Sequence, residues 1–343
     1  KTRLAKQAKP QAEPPSGAGS EWAEGTIGRA FERSGEAVDK ALQRARKSSP
    51  EDIELAAALA RIHRDHKEFL SDDLAKAQRE QLADQVVAEM VAASPKNPEA
   101  YLARYRYRMQ YELPQAKEDL QQALKYGPDN LAVLLSAAAH ARREAAGAQA
   151  DKTLLDEARK HYEHAIEVAP AGERAYVGLG DVCLAQNEVD RAIEVWRRGL
   201  EEADKESLQL NSRLAEVLIA QGQLEQAEEV LNVFDGAIKT LGARLPRPAR
   251  ASLGRSNDLL RAKWLVRKGD HVQAIPLLKR VAAGPKSVRS EVAQSLQAWL
   301  LLGGAYAASN QWDQAATAYQ QAATLQPKVA QPRLAAATAW TTA

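Results

Sequence analysis

One spacing pattern recurs along this 343-residue chain and restricts its fold more than any other feature. Trp299 is followed by Leu302, Gly303, Tyr306, Asn310, Ala315, Tyr319, Ala322 and Pro327. Tyr176, Leu179, Gly180, Cys183, Asn187, Ala192, Trp196 and Gly199 stand at the same offsets. The pattern predicts two helices per unit. A large residue, a Leu-Gly pair three and four later and a bulky residue at seven form one helical face, and the glycine lets a second helix come close. Ala followed four later by a bulky residue forms the complementary face on that second helix. The Asn between them suits a left-handed turn, and the Pro begins the next unit by refusing to continue the helix.

Weaker copies extend the pattern in both directions. Asn211, Leu214, Ala215, Leu218, Gly222, Ala227, Leu231 and Phe234 form one, and Ala262, Leu265, Gly269, Ala274, Leu278 and Val281 another. Upstream, Ala158, Tyr162, Ala165 and Pro170 close a unit opened near Leu131. Ala116, Leu120, Ala123 and Pro128 close one opened by Tyr101, and Ala83, Val87, Met90 and Pro95 close one opened near Leu55. Leu42, Ala45 and Pro50 suggest a degenerate helix before them. The alanine marking each second helix falls at 83, 116, 158, 192, 227, 274 and 315, so successive spacings are 33, 42, 34, 35, 47 and 41 residues.

These residues match, nearly position by position, the W-x2-L-G-x2-Y…A-x3-F…P pattern of the tetratricopeptide repeat, which the chain resembles over about residues 50 to 343. The resemblance implies an all-α fold, a right-handed α-solenoid of helix-turn-helix repeats. Against a plain repeat of about 34 residues, the wide spacings locate extra residues around Glu144 to Leu154 and between Phe234 and Ser256. The expected organisation is a flexible tether over 1–20, a degenerate helix or half-repeat over 21–50, and a first sub-array over 51–234. A long loop or hinge over 235–256 and a second sub-array over 257–343 follow, with a further loop at Gly284 to Ser287. Extra residues of this kind either break the curvature or lengthen the helices of a pair. Lys1 in place of Met, and a helical pattern from Arg333 to Trp340 with no closing helix, predict that the natural protein continues.

Tetratricopeptide arrays as a family bind extended peptides or partner helices on the concave face lined by first helices. Positions one and five after the pattern's first large residue point into that groove. Carried onto this sequence, they give Arg61 and Arg64; Leu102 and Arg106; Leu135, Ala139, Arg142 and Arg143; Val177, Asp181 and Leu184; Ser212, Glu216 and Ile219; Leu259, Lys263 and Val266; and Leu300, Gly304 and Ala307. The groove is thus expected to be Arg-bearing in its amino-terminal half and largely apolar in its carboxy-terminal half, which fits a partner with an acidic part followed by an apolar part. The Lys and Asn carboxylate clamp of the chaperone-binding subset is not matched, since Val177 with Asp181 and Leu300 with Gly304 occupy those places.

Composition narrows the remaining classes. Lys+Arg 47 against Asp+Glu 45 offers no overall field for nucleic acid or a membrane surface. A single cysteine excludes a disulfide framework or a multi-Cys zinc site. No apolar run reaches the roughly 18 to 20 residues of a membrane span. No phosphate-binding Gly-rich loop with its Lys, no G-x-S-x-G elbow and no H-E-x-x-H is present. His63 with His66 and His161 with His164 have a spacing that can place two nitrogens on one helical face, but no third ligand accompanies either pair, and no metal or cofactor is expected. Cys183 occupies a core position of the pattern and reads as a small buried hydrophobe. The run Tyr101 to Tyr111 alternates aromatic and basic residues as single-strand binders do. Its helical reading is two tyrosine stripes packed on neighbours, with the arginines reaching solvent.

The expected function is a non-enzymatic scaffold binding protein or peptide partners. Two alternatives stay open: a recognition arm of an enzyme whose catalytic domain lies outside this chain, and an adaptor of a bacterial envelope or secretion complex. The compartment is correspondingly cytoplasmic or envelope, and an uncapped terminal pair leaves a face that a second copy could cover.

Overall fold

The computed structural model describes residues 40, 43–44, 46–65, 75–146, 151–242 and 244–342. The tether predicted over 1–20 lies outside them. So do Leu42 and Ala45 of the degenerate helix, His66, and residues 147–150 of the insertion near Glu144. Every regular element among the described residues is a helix, and the chain divides into two compact units, one ending at Pro128 and the other beginning at Asp129.

In the first unit, α1 (Ile53–Asp65) pairs with α2 (Lys76–Ala93), and α3 (Pro98–Gln110) pairs with α4 (Ala116–Tyr126). Asn97 starts α3 by accepting from the Glu99 amide at 2.9 Å, and Pro98 follows at the position where its missing N–H costs nothing. Ala56, Ala60, Ala83 and Ala100 are fully buried, so the backbones close to small-residue distance around Val87, Met90 and Tyr107.

The second unit continues with α5 (Leu131–Glu144), α6 (Lys152–Val168), α7 (Glu173–Ala185), α8 (Val189–Glu202), α9 (Leu208–Ala220), α10 (Leu224–Gly242) and α11 (Arg247–Lys268). It ends with α12 (His271–Ala282), α13 (Arg289–Ala308), α14 (Trp312–Leu325) and α15 (Gln331–Thr342). Asn130, Asp151, Ser207 and Asp270 cap α5, α6, α9 and α12 through their side chains. The turns inside pairs carry the left-handed residue the pattern calls for: Asn187, Gly222, Gly269 and Asn310 all have φ between 57° and 89°. In each unit, every first helix also touches the first helix of the following pair: α1 with α3, then α5, α7, α9, α11 and α13 in succession. This continuity gives the first helices a shared face.

The pattern glycines are set by close approach. A Cβ on Gly180 would lie 2.1 Å from the fully buried Trp196 indole nitrogen, and one on Gly303 2.6 Å from the Tyr319 ring. Burying a side chain of Trp196's size contributes about 1.5–3 kcal/mol, so the missing methyl matters energetically.

The long loop or hinge predicted over 235–256 is not there. α10 runs to Gly242, α11 starts at Arg247, and the extra residues are absorbed as helical turns. The Leu-Pro-Arg-Pro stretch that reads as a breaker places Pro246 and Pro248 at the start of α11, where fixed φ favours a helix. The added turns of α11 meet those of α13, with Arg255 on Glu291 at 3.2 Å and Gln294 donating to Ser256 at 3.0 Å. The loop at Gly284 to Ser287 does lie between helices, and the Ser287 amide donates to Glu291 at 3.0 Å.

Candidate functional site

In the first unit the predicted groove residues Arg61 and Arg106 converge. They line one cavity of about 290 Å³ between α1 and α3, floored by Val87 and Met90 of α2. Ala57 and Ala103 also line it, each presenting only a methyl. Tyr107 forms one wall and is held by two charged side chains. It accepts from Arg64 Nε at 2.6 Å, donates to Asp84 at 2.5 Å, and lies against the Arg64 guanidinium, which also covers Tyr111. Burial, then the Asp84 acceptor, push its phenol pKa well up. Tyr111 is pushed up to about 12 by burial and by donating to Asp65 at 2.6 Å. Arg64, expected in the groove, is therefore a packing residue of this wall.

The arginines of the Tyr101–Tyr111 run do not all reach solvent as the helical reading predicts. Arg104 and Arg108 both turn onto Asp119 of α4, at 2.6 and 2.7 Å, and Asp119 is 2 % exposed. Arg108 also donates to the Gln115 carbonyl at 2.8 Å, tying down a left-handed turn residue. Tyr105 and Tyr107 are buried, and Arg106 alone of the three arginines stays exposed.

In the second unit Arg142, Arg143 and Asp181 line a cavity of about 600 Å³ between α5 and α7 with Ala139, Leu155 and Ala185. Asp181 accepts from Arg142 at 2.6 Å and pairs with Arg213 of α9 at 3.1 Å, so one carboxylate joins three successive first helices. Further along, Lys263 of α11 reaches Glu216 of α9 at 2.6 Å. The expected Arg-bearing groove is thus neutralised from within at Arg142, and the expected apolar half carries an ion pair at Lys263. Leu135, Val177, Leu184 and Leu300 are half-buried along the same helices. Leu259 is 6 % exposed, and Leu102 and Ile219 are 2 % and 3 %, so these three pack in the core instead of opening onto a groove. Arg213, which completes the bridge at Asp181, is absent from the expected set.

The remaining candidates are structural. His164 pairs with Asp129 at 2.9 Å, and His161 lies 3.9 Å from Glu157. Among the described residues no three His, Cys, Asp or Glu side chains converge to hold a metal. Cys183 is fully buried and burial pushes its thiol pKa up. Among the described residues no helix is long and apolar enough to cross a membrane.

Residues 148–207 and 259–330 match the tetratricopeptide repeat. These two stretches carry tetratricopeptide repeats. A tetratricopeptide repeat protein from Parabacteroides merdae superposes with a TM-score of 0.50 at 15% identity, over 77% of this chain and 94% of that one. PilF of Pseudomonas aeruginosa gives 0.50 at 19%, over 70% and 97%. The APC/C hetero-tetramer Cut9-Hcn1 gives 0.50 at 14%, over 89% of this chain and about half, 52%, of that one. At such identities the likeness is one of fold, an all-α helical-repeat solenoid. No curated protein matches the sequence as a relative. Tetratricopeptide repeats are protein-interaction modules, generally without catalytic groups of their own.

Proposed function

We propose that the chain is a non-enzymatic scaffold docking peptide or helical segments of partner proteins along the first-helix face of each unit, as part of a larger assembly. One observation carries the reading: each unit has a cavity between successive first helices, and the predicted residues Arg61 with Arg106, and Arg142 with Arg143 and Asp181, line them. An extended face of shallow contacts spreads binding energy over many residues, as a docking surface does and a catalytic pocket does not. The test compares three forms of the 343-residue chain for binding to partners recovered by affinity capture: wild type, a form blocked on this face by Ala139→Trp with Val177→Arg, and one altered on a second helix at the exposed Val233 by Val233→Arg. The expected result is loss in the blocked form only. Partners that bind the blocked form as tightly as wild type would sink the proposal.

A further inference from the structure

The arginines of α1 to α4 divide sharply by what they touch. Arg64 pairs with Asp84 and Glu80, Arg79 donates to the carbonyls of His63 and Arg64, and Arg104 and Arg108 pair with Asp119. Arg61 and Arg106 have no ion pair or hydrogen bond among the described residues, are exposed, and line the same cavity. Two guanidinium groups outside any ion pair thus share this cavity with the apolar Val87 and Met90, which are 3 % and 1 % exposed.

We infer that this cavity is an anchor for a partner-protein segment bearing an apolar side chain, of Leu or Met size, flanked by Asp or Glu. The inference deepens the scaffold reading above and rests on it. The apolar side chain fills the space left by Ala57 and Ala103, and the flanking carboxylates meet Arg61 and Arg106, whose planar forks suit carboxylates. Glu54 closes the other end of the cavity, seven residues and about 10 Å along α1 from Arg61. Its charge orients the segment, with the acidic residues at the Arg61 end. An apolar floor sunk between the arginines favours a protein side chain over a nucleic acid, whose phosphates would leave the floor empty. The second-unit cavity lacks this bias, because its Arg142 is already held by Asp181.

The test uses the full chain and fluorescein-labelled 12-residue peptides followed by anisotropy: one with a central Leu among Asp and Glu, one with the acids replaced by Asn and Gln, one with the Leu replaced by Ser, and one with the acids replaced by Lys. The acidic Leu peptide is expected to bind at least about tenfold more tightly than the amide and Ser forms. R61E/R106E, two surface changes whose folding is checked by circular dichroism, abolishes that binding and gains binding to the Lys peptide. Acidic binding indifferent to the Leu, binding unchanged in R61E/R106E, or no saturation by about 1 mM overturns the inference. So does a single-stranded oligonucleotide that binds more tightly than the acidic Leu peptide and is lost in R61E/R106E. Captured partners that still need the Ala139 and Val177 face but ignore R61E/R106E overturn this anchor alone and leave the scaffold reading standing.

Discussion

Gly180→Ala adds one methyl to a helix and is expected to destabilise the second unit, against the usual direction of that exchange. In an exposed helix interior, Gly to Ala gains about 0.5–1 kcal/mol. At Gly180 the new methyl would stand 2.1 Å from Trp196 Nε1, 2.4 Å from Cε2 and 2.7 Å from Cδ1. Ordinary carbon contacts lie near 3.5–4.0 Å, so the indole must retreat by more than about 1 Å. Trp196 is 0 % exposed, so the indole has no solvent to move into. Overpacking of a filled core costs about 1–3 kcal/mol, and a shift this large belongs at the upper end. Set against the propensity gain, the net loss is about 2 kcal/mol, or about 4–8 °C in melting temperature for a unit of this size. Gly236→Ala is the matched control, since nothing lies within 4 Å of its added methyl in α10. It is expected to stabilise by about 0.5–1 kcal/mol. Urea unfolding followed by circular dichroism measures both. In a double-mutant cycle with Trp196→Leu, the Gly180→Ala penalty should shrink by at least about 1 kcal/mol. A Gly180→Ala protein as stable as Gly236→Ala, or a cycle showing no coupling, would refute the close-approach account of the repeat glycine.

Three further outcomes follow from other parts of the molecule. Asp119→Asn leaves Arg104 and Arg108 facing an uncharged acceptor in a nearly buried site and should cost about 3–5 kcal/mol; an unchanged urea midpoint contradicts it. Burial holds the His161 imidazole below its ordinary pKa, opposed by Glu157 and reinforced by His164. The fold therefore favours the neutral form, so the contribution is complete above the unfolded value of about 6.5 and is lost as pH falls from there toward the lower folded value. His161→Gln should flatten that part of the stability profile, and a slope identical to wild type counts against the assignment. Cys183 should react with a thiol reagent only when its helix opens, so its labelling rate should rise steeply with urea. A rate already fast in native buffer contradicts that burial.

What could be read from the chain was whatever depends on neighbours within one repeat. Asn187, Gly222, Gly269 and Asn310 sit in left-handed turns because the turn joining two helices of a pair needs a residue that tolerates positive φ, a requirement settled over four or five positions. Ala83, Ala158, Ala192, Ala227, Ala274 and Ala315 are fully buried for a similarly local reason. The stretch 235–256 misled because Leu-Pro-Arg-Pro marks a break equally well whether a loop follows or a helix begins. What chose the helix was a partner far along the chain, Glu291 on α13 for Arg255 on α11.

The charges of the first-helix face were misjudged for the same reason, and the error has a simple geometry. Adjacent first helices bring together residues one repeat apart, so the fate of a charge is decided by its counterpart 30 to 50 positions away. Arg142 finds Asp181 after 39 residues, Arg213 lies 32 beyond that, and Lys263 meets Glu216 across 47. Each is neutralised by the neighbouring repeat, which a position-by-position count of basic residues does not detect. Arg61, carried forward by 45 residues, falls on Arg106, a like charge lining the same cavity, and neither makes an ion pair or hydrogen bond among the described residues. Like charges lining one cavity repel unless something anionic lies between them. Comparing each groove residue with its counterpart one repeat on therefore separates positions the fold has already satisfied from those left for a ligand. By that criterion the proposed acidic attraction belongs to the Arg61–Arg106 cavity and not to Arg142.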